Sequence, residues 1–154
     1  MLSIDEILKQ EEVATLDHFG LKDVDRLVEK LKTIGEDDFQ RVCILITKND
    51  REVYFHAGTS TTNENNIWIE KKANVVNAYE HSSLLEKAIY ADNPDNYYQS
   101  NGLSPKDYAI VGGGFPICVQ GTGIVGTLIV SGLTDEGDHD LAYKALSALK
   151  QSQK

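Results

Sequence analysis

Residues 108–133 read YAIVGGGFPICVQGTGIVGTLIVSGL, and this run decides the fold. Three consecutive glycines, Gly112, Gly113 and Gly114, precede Phe115-Pro116. Gly121, Gly123 and Gly126 follow, and a β-branched run ends in Ser131-Gly132. The run holds no charged residue and no histidine. Gly and Pro punctuate apolar strands where a chain turns sharply or where backbones approach closely. The stretch therefore reads as the hub of an antiparallel sheet rather than a reaction centre. Strands are expected over 108–111, 115–120 and 124–131.

Upstream, the period of the apolar residues alternates between helix and strand. Ser3 with Glu6 makes a capping-box pair before Ile4, Ile7 and Leu8, predicting a helix that runs to about Asp17. Val24, Leu27, Val28, Leu31 and Ile34 form a second stripe, closed by Gly35, so residues 1–36 read as an N-terminal helical segment. RVCILITK (41–48) and EVYFHAG (52–58) then read as a β-hairpin about Asn49-Asp50. A polar loop over 58–66 leads into a helix over 64–79, with Thr61 and Glu64 as its box. Ser83 with Glu86 caps a short helix that ends before Asn93-Pro94. Residues 95–101 read as an exposed loop, and Ser104-Pro105 as the start of a single turn. Leu141, Ala145, Leu146 and Leu149 mark the last helix. One domain over 1–154 is expected: an α+β fold with a five-stranded antiparallel sheet and helices packed mainly on one face.

Composition excludes several classes of partner. The 154 residues carry a net charge of −9, which repels phosphate backbones and anionic lipid headgroups, so nucleic acid and membrane surfaces are poor partners. No apolar run approaches the ~20 residues that span a bilayer. The N-terminus has no signal-peptide pattern. Cys43 and Cys118 lie inside apolar runs and read as buried free thiols of a cytoplasmic protein.

The motifs favour structure over chemistry. Residues 121–126, GTGIVG, match the dinucleotide pattern, but a strand follows where that site needs a helix. The glycine triplet lacks the Gly-Lys-Ser/Thr of a phosphate loop; it serves either as an anion nest or as a place of close backbone packing. No two of His18, His56, His81 and His139 fall at metal-ligand spacing. His81-Ser82-Ser83 lies at a helix junction, either as a plain cap or as a polar cluster on a cleft. Asp138-His139-Asp140 complements the dipole of the last helix. Trp68 with Lys71 and Lys72 reads as core or interface, or as a rim for an anionic aromatic ligand. Neither a nucleophile–base pair nor a metal set can be named.

Several segments together resemble a known family. They are Trp68 with the run 71–76 (KKANVV), His81-Ser82-Ser83, the run 112–117 (GGGFPI), the run 123–127 (GIVGT) leading into 130–133 (VSGL), and Asp138-His139. The chain resembles the haem-degrading-domain (HbpS/GlcG-like) family and, within it, the cytoplasmic UPF branch. The resemblance implies a profilin/PAS-like sheet of strand order 2-1-5-4-3 and a homo-oligomer larger than a dimer. It makes haem or a related tetrapyrrole the candidate ligand, although Val111 stands where relatives often place a histidine before the triplet. The expected ligand residues are His81, Ser82, Trp68, Lys71, Lys72, Gly112, Gly113 and Gly114. Phe115, Pro116 and Gly126 are the expected interface residues. A protein-binding adaptor with no small ligand is the alternative reading, and an enzyme ranks third.

Overall fold

Two hairpins build the sheet. In the computed structural model, which describes residues 1–153, β1 (Cys43–Lys48) and β2 (Arg51–Ala57) pair antiparallel around Asn49-Asp50. Both turn residues have positive φ, 50° and 63°, the left-handed pair that a two-residue hairpin loop demands and that Asn and Asp tolerate. β3 (Gly114–Val119) pairs with β4 (Gly123–Ser131), and β1 joins β4 to give the order β2-β1-β4-β3.

Among the described residues the sheet therefore has four strands, not the expected five. Residues 108–111 do not pair beside β3. Ala109 and Ile110 are buried against α3 (Asn63–Tyr79) and its surroundings instead. The Ala109 N–H donates to the Lys71 carbonyl at 3.4 Å, and the Ile110 N–H donates to the Tyr98 hydroxyl at 3.3 Å. The outer edge of β3 is covered by Leu16, whose N–H donates to the Cys118 carbonyl at 2.8 Å and whose carbonyl accepts from the Gln120 N–H at 2.9 Å. The strands that do form keep the expected order with its outer member missing.

Helices cover both faces of the sheet, where helices mainly on one face were expected. Ile44, Ile46, Phe115, Ile117, Leu128 and Val130 pack with α2 (Leu21–Gly35) and α6 (Asp135–Ser152). Cys43 and Ile129 face the other way, onto Ile69 and Val76 of α3. The strand sequences carry the reason: 43–46 and 128–130 are unbroken apolar runs, the mark of strands buried on both sides.

Local signals placed most helix ends within a residue or two. The Ser3–Glu6 box opens α1 (Ile4–Val13), which stops short of Asp17. Thr62 and Asn65, not Thr61 and Glu64, form the box of α3. Ser82, not Ser83, caps α4 (Ser83–Ile89). The expected loop over 95–101 is α5 (Asp95–Asn101), pinned by Tyr97, which is 0% exposed between the rings of Tyr79, Tyr90 and Tyr98. Among the described residues no helix is long and apolar enough to cross a membrane.

Candidate ligand cleft

The inward stripe of α3 is Ile69, Lys72, Val75 and Val76, so one cation sits among apolar neighbours. Lys72 is 3% exposed. Its ammonium donates to the Val130 carbonyl at 2.9 Å and to Asp138 Oδ2 at 3.1 Å. Asp138, in the first turn of α6, is also 3% exposed. Its Oδ1 accepts from the Leu133 N–H at 2.8 Å and its Oδ2 from the Gly132 N–H at 3.3 Å. Burial is the strongest influence on both groups: it pushes Lys72 below the usual lysine range and Asp138 above the usual carboxylate range, while each partner's charge pulls the other back.

The glycine triplet threads between this pair and its supports. A Cβ on Gly112 would lie 2.0 Å from the Asp135 carbonyl oxygen. On Gly113, with φ of 126°, it would lie 2.2 Å from the Val130 oxygen and 2.8 Å from Lys72 Nζ. On Gly114 it would meet Val76 Cγ2 at 2.8 Å. A side chain here would meet backbone, the ammonium or the Val76 side chain, so the triplet is a close-packed crossing of α3, β4 and α6. It is tied down by the Val130 N–H donating to the Gly113 carbonyl at 2.9 Å and by the Gly114 N–H donating to Ser83 Oγ at 2.9 Å.

Over the pair lies a cleft of 260 Å³, walled by Trp68, Glu64, Ser131, Asp135 and Leu133, with Lys72 and Asp138 at its floor. Trp68 is 37% exposed, and Lys71 Nζ stands 4.9 Å from its ring centroid as a cation–π pair. Lys87 of α4 bonds to Asp135. Val111 also lines the cleft, and the three glycines do not. Of the expected ligand residues, the structure thus gathers Trp68 and Lys72 around one cavity, with Lys71 on the outer side of the indole.

His81 and Ser82 stand elsewhere. His81 Nδ1 lies 2.7 Å from Glu11 Oε1, and Ser82 donates to Glu11 Oε2 through both its N–H and its hydroxyl, at 3.1 Å each. Glu11 of α1 thereby clasps the α3–α4 junction. Neither His81 nor Ser82 lines the cleft. Of the expected interface residues, Phe115 is 0% exposed, its ring 5.4 Å from His139 and 6.3 Å from Tyr143. Pro116 is buried too. Gly126 makes its close approach within the chain: an added Cβ would sit 2.1 Å from the Thr47 carbonyl oxygen of β1.

Sequence reasoning took Asp138 for a helix-dipole residue and missed it as the partner of Lys72. A lysine on an apolar stripe signals that an acid must meet it, because a buried charge needs a partner. It does not say which of 24 acids. Glu11 was missed for the same reason, since its three bonds cross about 70 residues of chain.

Comparison with known proteins agrees with this architecture. A UPF0303 protein of Lactiplantibacillus plantarum is 62% identical over 153 residues, covering 99% of each chain. The crystal structure of Ybr137w protein superposes with a TM-score of 0.87 at 21% identity, covering 97% of this chain and 88% of that one. The crystal structure of a PduOC:heme complex superposes with a TM-score of 0.69 at 20% identity, covering 84% and 94%. At such identities the two structures show the fold alone. The family model described as haem degrading protein HbpS-like matches residues 19–147, so the chain belongs to the HbpS-like family.

Proposed function

We propose that this is a cytoplasmic protein that binds a small ligand in the cleft beside Trp68. The observation that carries this reading is a buried ion pair set at the foot of an open cleft. A buried pair is a weak source of stability, and titratable groups shifted by burial and charge inside a cleft mark functional sites. The exposed indole supplies an apolar wall, and the pair supplies a polar floor.

Haem is the ligand that the family suggests, and the cleft does not fit it. Haem iron takes His, Cys, Met or Tyr as its axial ligand. None of these types is among the residues lining the cleft. Glu64, Asp135 and Asp138 outnumber Lys72 there, an acidic balance that repels propionates. His81 is the better candidate: it is half-exposed, and the Glu11 carboxylate on its Nδ1 leaves Nε2 without a partner among the described residues, as in metal-ligating imidazoles. We therefore expect weak haem binding without a sharp six-coordinate Soret band, and outside the cleft.

Trp68 is the only tryptophan, so its fluorescence reports on the cleft alone. Small molecules extracted from protein purified under native conditions and identified by mass spectrometry should quench that emission when added back. Their retention should fail in Trp68→Ala. A ligand retained fully by Trp68→Ala would overturn the assignment, as would submicromolar stoichiometric hemin binding abolished by His81→Ala. We further propose that the chain assembles into a homo-oligomer larger than a dimer, for which Ile4, Leu8, Ile67 and Ile89 are exposed apolar residues available to contacts. Light scattering of a monomer throughout the micromolar range would refute that part.

A further inference from the structure

We propose that Lys72 captures a small, uncharged aromatic aldehyde in the cleft as an imine. This deepens the reading of the cleft as a ligand site and rests on it. Three features of the floor carry it. Lys72 Nζ spends two of its three N–H groups on the Val130 carbonyl and Asp138 Oδ2, and no third partner is present among the described residues. A carboxylate oxygen lies 3.1 Å from the nitrogen, within reach of a proton transfer. Lys72 is itself one of the residues that line the cleft, so the buried ammonium stands at the edge of the cavity.

The chemistry of the pair suits this step. Burial acts on Lys72 toward the free amine and on Asp138 toward the neutral acid, so the two sites hold one labile proton between them. With that proton on Asp138, the Nζ lone pair attacks the carbonyl carbon. The carbonyl π pair moves onto oxygen, which takes the Asp138 proton, and the nitrogen, now cationic, passes one of its protons to the Asp138 carboxylate, leaving a neutral carbinolamine and Asp138 protonated again. Asp138 then donates that proton to the hydroxyl, the C–O bond breaks as the nitrogen lone pair forms the C=N bond, water leaves, and the remaining iminium proton returns to the Asp138 carboxylate. Amine plus aldehyde gives imine plus water, with no change of oxidation state and no co-reactant.

The walls select the substrate class. Glu64 and Asp135 disfavour an anionic aldehyde, whereas Trp68, Val111 and Leu133 offer apolar surface to a ring. The other lysines nearby are differently placed: Lys71 stands over the indole and Lys87 is paired with Asp135.

The full chain is incubated with benzaldehyde and cyanoborohydride at neutral pH, and modified lysines are mapped by peptide mass spectrometry. Lys72 should be alkylated about tenfold faster than the exposed Lys106, since an amine held toward its free base reacts sooner. Trp68→Ala, at a partly exposed position, should slow the Lys72 reaction while leaving Lys106 unchanged. Lys72→Arg should abolish the mapped adduct with the circular dichroism spectrum preserved. Modification of Lys72 no faster than Lys106 overturns the proposal. If benzaldehyde still quenches Trp68 reversibly in that case, the cleft stands and only the imine fails; if it does not quench, both fail.

Discussion

Replacing Lys72 with methionine isolates what the buried pair does. The substitution keeps the length of the stem and removes the ammonium, so Asp138 stays 3% exposed with no cation beside it. Breaking a buried pair by removing one partner costs ~3–5 kcal/mol. Here the carboxylate retains the Leu133 and Gly132 N–H groups, so the lower end, about 3 kcal/mol, is expected. In a chain of this size each kcal/mol moves the melting point by roughly 2–4 °C, which gives a fall of roughly 6–12 °C. The deficit should depend on pH with a definite sign. Asp138 is already raised by burial, and loss of Lys72 raises it further. Between the unfolded and folded values the folded state then holds the extra proton, so stability falls as pH rises through that window. The variant should therefore be weakest at neutral pH and recover as the solution is acidified. Adding Asp138→Asn removes the stranded charge and should restore part of the loss, with a coupling of ~0.5–3 kcal/mol. Scanning calorimetry of the parent, both single variants and the double variant at neutral and mildly acidic pH reads all of this. A Lys72→Met variant that melts with the parent at neutral pH, or a double variant as weak as the two single losses added, would refute the reasoning.

Gly126→Val places a Cβ against the Thr47 carbonyl oxygen, where an added atom would lie at 2.1 Å, and should cost ~1–3 kcal/mol or more despite the better strand propensity of valine; an unchanged melting temperature would show that β1 yields without strain. Ser83→Ala takes the acceptor from the buried Gly114 N–H and should cost ~1–3 kcal/mol by urea titration, whereas a near-neutral result would mean that this amide finds another partner. His139 is pushed by burial down to about 4, so the unfolded chain binds a proton that the folded chain refuses. Stability should then be full above the ordinary histidine value of about 6.5 and be lost as pH falls toward 4. His139→Gln should flatten that acid limb in urea midpoints, and an identical pH profile would exclude His139 as its source.

What could be read from residues alone was whatever is decided within a few positions of the chain. The caps at Ser3 and near Thr62, the hairpin at Asn49-Asp50, the apolar periods and the strands over 115–120 and 124–131 are local, and they formed close to where they were expected. Trp68 and Lys72 were visible as unusual residues on a helix, and the segments spread along the chain pointed to the family. The tertiary structure decided the rest. The residues 108–111 look like a strand, yet a strand exists only if a neighbour accepts its ladder; Leu16 took that edge and α3 took the segment. Residues 95–101 look like a loop until Tyr97 finds its aromatic pocket. The glycine triplet is legible as a demand for space, but only packing shows that Asp135, Val130 and Val76 fill it. The pairing of Lys72 with Asp138, and of His81 with Glu11, joins groups 66 and 70 residues apart. Local sequence fixes the energy of a turn or a cap because its partners are neighbours in the chain. A buried charge is satisfied by whichever group the fold brings within about 3 Å, and that choice belongs to the packing of the whole molecule.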